Sequence, residues 1–311
     1  MAKVLATQAT LDFTLGDPGK MIIDIPRCLS LCNRKSFRSG YVYSVDYMEY
    51  IGTAGDVISV HQIPCTYVSM KAYDLGFRIW RKQRAEVLEE TEGNISGRWS
   101  DFKPYYSQAH EDGTFAEVLP MGVSAAGAFN SAFSTANSEW NRATIVINDI
   151  SAATTDNIEV GMLGADDLPN WYGSLCQAWV TTRSGVLNPD PMVPAAASSE
   201  WIARTGEASG EMSYEVINVV EAENDRPPYA NEPDVVNTPI INGGELSVPG
   251  GVLMDTSTTG STGRAVSLNG GLVPLGLIQL ATAGQGAGIF RIHLTRGSYK
   301  GIAALPCGDF R

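Results

Sequence analysis

The sequence predicts an all-β chain with one prominent helix: a jelly-roll β-sandwich and, given 311 residues, a double jelly roll. Three observations carry this. Short runs rich in β-branched and aromatic residues recur along the chain, among them 41–47, 144–147, 214–220 and 289–294. Turn formers bound each run, and the 32 glycines and 16 prolines are spread without a period, as the corners of many short strands would be. Only one long segment shows the three- and four-residue spacing of an amphipathic helix.

Taken in order, residues 4–15 alternate loosely and end at the turn 16–19, and Met21–Ile25 runs into Pro26. Residues 27–34 suit a short helix that Gly40 closes off. Strands at 41–51 and 57–63, joined by Gly52–Gly55, read as a β-hairpin. From about 66 to 92, Tyr73, Phe77, Trp80, Val87 and Leu88 fall on one helical face, with Pro64 before and Gly93-Asn94 after. Arg78, Arg81, Lys82 and Arg84 occupy the middle of this helix, while Glu86, Glu89, Glu90 and Glu92 crowd its end. That order opposes the helix dipole, so tertiary packing or a partner must hold the last turn.

A small-residue region, 120–140, follows, and strands resume at 143–149 and 157–163. Residues 183–210 and 222–240 are long loops, the second held extended by its prolines. From 235 onward nearly everything is strand and turn, ending in the pair 275–280 and 289–295. The expected division is a first jelly roll over 1–150, with the 66–92 helix inserted between its strands, and a second over 151–311.

A hydrophobic content of 44% with 18% charged residues excludes a disordered chain. A net charge of −12 makes a poor general nucleic-acid binder, so any such contact needs a local patch. The first ten residues lack a signal-peptide apolar run, and no window reaches 18 apolar residues, so folding in a cytoplasm is expected. Cys28, Cys32, Cys65, Cys176 and Cys307 are odd in number, scattered and far from metal-ligand spacing. Reduced, mostly buried thiols are expected, with no metal and no cofactor.

No catalytic set is assigned, and an enzyme is not expected. The chain has no Gly-x-Ser-x-Gly elbow, and Asp46 or Asp56 beside His61 lacks a placed serine, which leaves a hydrolase third among the readings. Asp166-Asp167 and the Glu89–Glu92 group read as solvated acidic turns, and the glycine pairs lack the lysine of a phosphate loop. The tryptophans read as core or interface anchors, with Trp171-Tyr172 the exposed pair. The notable cluster is Arg27, Arg34, Lys35 and Arg38, four cations with no acid among them in an acidic chain. It reads as a surface turned toward something anionic, packaged DNA or lipid head groups; the alternative is a solvated face paired with the Glu-rich helix end.

Two stretches carry a family likeness. One is MIIDIPRCLSLCNRKSFRSGYVY at 21–43, continued by FRIWR at 77–81 and DFKPY at 101–105; the other is VPLGLIQL at 273–280 with IHLTRGSYKG at 292–301. Together, over about 130 residues at the two ends, the chain resembles the major capsid proteins of small tailless icosahedral single-stranded DNA viruses, such as bacteriophages and viruses of marine and aquatic samples. The resemblance implies a structural protein of the virion, made and assembled in the host cytoplasm. It implies self-assembly through homotrimers and pseudo-hexameric capsomers into an icosahedral shell, alongside other virion proteins. Unlike many such coats, the chain lacks a basic N-terminal arm, so an internal membrane or a separate basic protein would share the task of meeting the genome. Arg27, Arg34, Lys35 and Arg38 are then expected to face the interior. The alternative function is a carbohydrate- or receptor-binding β-sandwich, a spike or lectin-like module.

Overall fold

The computed structural model describes residues 7–16, 18–90, 101–122, 131–132, 139–149, 154–164, 173–183, 251–261 and 265–309. In chain order the elements are β1 (Thr10–Leu15), β2 (Gly19–Asp24), α1 (Ile25–Asn33), β3 (Tyr41–Gly52), β4 (Val57–Gln62) and α2 (Tyr67–Glu90). Then come α3 (Gln108–Glu111), β5 (Ala116–Glu117), β6 (Met121–Gly122), β7 (Ser131–Ala132), β8 (Thr144–Asp149), β9 (Thr154–Glu159) and α4 (Leu175–Arg183). The chain closes with β10 (Val252–Thr258), β11 (Val266–Pro274), β12 (Leu277–Ala283), β13 (Gly288–Leu294) and β14 (Ala304–Pro306). Two compact units result: unit 1 from 1–65, 112–141 and 251–311, and unit 2 from 66–111 and 142–250.

Unit 1 is built from nested pairs of strands. β1 pairs β13, β2 pairs β12, β3 pairs β11 and β4 pairs β10, every pair antiparallel. Two further pairings, β3 with β13 and β4 with β12, join these into two sheets, β1-β13-β3-β11 and β10-β4-β12-β2. β14 extends the first sheet along β3, and β5 adds a parallel edge to β2. Alternate residues point inward, as the two-residue pleat requires. Leu11, Phe13, Tyr50, Phe290 and Ile292 of one sheet meet Ile23, Ile58, Val60, Ile278 and Leu280 of the other in a single hydrophobic core. Each such side chain, fully buried, contributes roughly 1.5–3 kcal/mol of burial free energy.

The inward set on β3 changes parity, from Tyr43 and Val45 to Met48 and Tyr50. A bulge explains it: His293 lies opposite Tyr47 while Leu294 lies opposite Val45, so Asp46 is the extra residue. The two outer faces differ. On the second sheet Ile22, Leu277 and Gln279 are buried, whereas the first carries a half-exposed row in which Arg291 bridges Asp12 and Glu49.

In unit 2, α2 buries Val68, Ala72, Tyr73, Leu75 and Ile79. Its Tyr73, Phe77 and Trp80 rings surround Phe102 with centroids 5.5–6.1 Å away. Gly76 lies against Leu175 of α4, and β8 pairs antiparallel with β9. The expected apolar stripe stops short, because Val87 is 54% exposed. Gln83 links the later part of α2 to β8: its amide donates to Val146 O at 2.7 Å and accepts from Val146 N at 3.1 Å. Among the described residues, no helix is long and apolar enough to cross a membrane.

Several expectations are corrected here. β3 and β4 do not form a hairpin; they lie in opposite sheets, and residues 53–56 form a corner across the core. β12 and β13, at the end of the chain, likewise lie in opposite sheets. Both connections are short and glycine-rich, and a short connection suits a sheet-to-sheet corner as well as a hairpin. The boundary near 150 does not match the two units: strands from 252 onward pair with those of 10–62, so no roll over 151–311 can own them. β9 sits a few residues before the expected 157–163, and α4 was not expected at all. The loops at 184–210 and 222–240, the strand at 214–220, Asp166-Asp167 and Trp171-Tyr172 lie outside the described residues, as does most of 120–140.

Candidate anion-binding surface

The site begins with α1. Asp24 caps the helix, its Oδ1 accepting from Arg27 N at 3.0 Å, and Pro26 sits in the first turn, where its missing donor costs nothing. The buried side of α1 is Ile25, Cys28 and Leu29. The helix stops where Arg34 turns left-handed, at φ 52° and ψ 38°, a conformation that costs a non-glycine residue about 1–2 kcal/mol. The chain then passes Lys35, Ser36, buried Phe37 and exposed Arg38 on its way to β3.

A second segment, 295–302, comes from the far end of the sequence. Tyr299 and Ile302 exchange backbone hydrogen bonds of 3.0 Å each way, making a tight turn with Lys300 at φ 52° and Gly301 at φ 96°. Buried Ile302 anchors it in the core. The Tyr299 ring stacks on Tyr41 at 4.1 Å, and its hydroxyl accepts from Arg38 N at 3.1 Å.

Thr7 joins the two segments. Its hydroxyl donates to Lys300 O at 2.6 Å and lies 3.4 Å from Lys35 Nζ, while its carbonyl accepts from Arg296 Nη1 at 3.3 Å. Lys300 Nζ donates to Ser36 O and lies over the Phe37 and Tyr299 rings at 5.6 and 5.4 Å. The result is one end of unit 1 where Arg34, Lys35, Arg38, Arg296 and Lys300 gather around two aromatic rings. Arg34, Arg38 and Arg296 are exposed and form no ion pair among the described residues. Cations gathered on one side of a surface make a local positive potential that attracts anions.

Of the four basic residues singled out from sequence, Arg34, Lys35 and Arg38 are brought together and Arg27 is not. Arg27 Nη1 is 2.6 Å from Glu117 Oε2, and both side chains are mostly buried. Its place in the first turn of α1, two turns before Arg34, points it at β5 instead. Its partner is Glu117, not the Glu-rich end of α2 that the alternative reading named. Sequence reasoning missed Arg296 and Lys300. The signal was present: from Thr256 to Gly308 there is not one carboxylate in a chain of net charge −12. Residues 25–45 are likewise free of acids, and these two acid-free stretches are the ones that meet.

Among the described residues no three His, Cys, Asp or Glu side chains gather as metal ligands. In unit 2, His110 Nδ1 accepts from Tyr106 N at 3.1 Å, and Arg142 lies over the Tyr105 ring at 5.4 Å. Burial and a hydrogen bond to Glu159 push the Tyr105 phenol up to about 12, which keeps it protonated. Cys28, Cys176 and Cys307 are buried, Cys32 is half-buried and Cys65 exposed. No family model matches the chain, and no curated protein and no solved structure matches it either.

Proposed function

We propose that this chain is the major capsid protein of a small tailless icosahedral virus, its unit 1 a jelly roll and its function self-assembly into a shell. One observation carries the reading. Numbered along the chain, the eight main strands of unit 1 pair first with last, second with seventh, third with sixth and fourth with fifth. That is a single long antiparallel ribbon folded over on itself into two sheets, the Greek-key arrangement of jelly rolls, which recurs in viral coats. Unit 2 enters at the tip of the ribbon, between β4 and β10. A rigid core with one large insertion suits a shell subunit: the roll fixes the subunit's shape, and the insertion supplies surface for neighbours. This is one roll with an inserted unit, in place of two rolls in tandem. The basic end of unit 1 is its inward, genome-facing side.

The test is light scattering of the purified chain at rising concentration. A coat protein gives a threshold above which scattering climbs steeply, through trimers and larger rings; a scattering mass that stays constant at all concentrations would reject assembly. The alternative, a carbohydrate- or receptor-binding β-sandwich, is favoured by the outer face of the first sheet. There Tyr47, 37% exposed, stacks on His293 at 4.1 Å, beside Glu49 and Arg291. An exposed ring flanked by hydrogen-bonding groups is a surface on which sugars can stack. That reading predicts a glycan that quenches fluorescence and loses affinity on Tyr47→Ala, with no shells.

A further inference from the structure

We infer that the basic end of unit 1 binds the phosphate backbone of single-stranded nucleic acid, with Arg296 and Lys300 completing a site that Arg34, Lys35 and Arg38 begin. The inference rests on the capsid reading only for the claim that the bound strand is a packaged genome; the binding itself stands on the geometry. Three features point to this ligand.

The first is charge. Five cations come from two segments with no carboxylate in either, and Arg34, Arg38 and Arg296 are exposed without an ion pair among the described residues. Three of the five are arginines, whose planar forks suit phosphate oxygens.

The second is preorganisation. Arg296 is held on Thr7 O and Lys300 on Ser36 O, Lys35 rests beside Thr7 Oγ1, and the backbone of Arg38 is fixed by Tyr299. Cations on a folded frame lose less freedom on binding than those of a loose tail. Arg34 also holds a left-handed backbone that glycine would adopt without strain, so the arginine there is kept at a cost to the fold.

The third is the ring pair. Tyr41 and Tyr299 are stacked on each other, half-buried, beside the cations, and a single strand presents bases that can pack against the side of the pair left open to solvent. Inorganic phosphate or a lipid head group would make no use of them. In a chain of net charge −12, an acid-free basic patch gives a strand a preferred side of unit 1 to approach.

The test is fluorescence anisotropy of a short labelled oligodeoxythymidine with the full chain, between about 50 and 200 mM salt. Binding should fall linearly on a log–log plot, and each of Arg38→Gln and Arg296→Gln should shallow the slope by about 0.7, the value for one phosphate contact to a single strand. Arg34→Gly separates binding from folding, because it should weaken binding several-fold while melting no lower than the parent. Arg78→Gln, which removes a cation paired with Asp74 in unit 2, should leave binding unchanged. Vesicles with and without anionic lipid are run beside the oligomer. Binding to anionic vesicles but not to the oligomer, or oligomer binding that ignores all three patch variants, overturns the inference. Shells that form but hold no DNA refute this inference and leave assembly standing. DNA binding lost with the patch variants, in a protein that never forms shells, upholds it and refutes the capsid reading.

Discussion

The Tyr50 hydroxyl donates to Asp56 Oδ2 at 3.1 Å, at the corner where β3 hands the chain to β4. The same carboxylate accepts from Thr53 N at 2.9 Å and Gln285 N at 2.7 Å, so it ties the β3–β4 corner to the β12–β13 corner. Thr259 N, after β10, donates to the Asp56 carbonyl at 2.8 Å. Three connections at one end of the sandwich thus converge on one buried acid. The opposite end is the basic one.

Asp56→Ala should therefore lower the melting midpoint by several degrees, since it strands the Tyr50 hydroxyl and the backbone donors of both corners in a dry site. Asp56→Asn should fall between, because an amide keeps one acceptor and loses the charge. Burial alone would raise the Asp56 pKa, but the donors from Gln285, Thr53, Tyr50 and Gly286 outweigh it and hold the group below its ordinary value. With a depressed folded-state pKa, the stability this provides is fully present above the unfolded-state carboxylate pKa and is lost as the pH falls through the folded one. Acid unfolding curves should show the parent losing stability below the ordinary carboxylate range, with a shallower loss in Asp56→Asn.

Arg27 supports the fold and not the anion surface. Arg27→Gln leaves Glu117 short of its partner in a mostly buried pair and should cost about 1–3 kcal/mol in chemical denaturation. Its effect on oligodeoxythymidine binding should be no greater than that of Arg78→Gln.

Gly270 sits where β11 crosses the β3 bulge. A Cβ there would lie 2.2 Å from Val45 O and 2.3 Å from Asp46 O, backbone atoms that cannot step aside. Gly270→Ala should destabilise the protein by about 1–3 kcal/mol, read as a lower denaturant midpoint with an unchanged slope.

The five thiols should separate by reactivity. Cys65 is exposed and should react first with a maleimide, although partial burial pushes its pKa up. Cys32, pushed up to about 11 by burial and then by Asp12, should follow slowly. Cys176 and Cys307 are pushed up to about 12, and buried Cys28 is raised too, so these three should label only in denaturant. Mass spectrometry of the labelled peptides checks the order.

Much of this architecture is legible in the sequence, and the rest fails for definable reasons. β3 and β4 declare themselves by β-branched and aromatic runs between glycines, and α2 by the spacing of Tyr73, Phe77 and Trp80. Which strands pair is not local information. The alternation of Val57–Gln62 says that one face is buried, but not that its neighbours are β10 and β12. Hence a hairpin was expected where a corner lies, and a boundary near 150 where the chain instead rejoins the first unit's strands from 252 onward. α4 lacks a clear amphipathic stripe and is held by packing on α2. The basic site was half legible: Arg34, Lys35 and Arg38 are neighbours in sequence, while Arg296 and Lys300 join them only because β13 returns beside β3.

The most direct measurement is negative-stain electron microscopy of the purified full chain under conditions where scattering rises. Closed particles of uniform diameter, or trimers tiling into sheets, are the expected result. Monomers or small discrete oligomers at every concentration would contradict it.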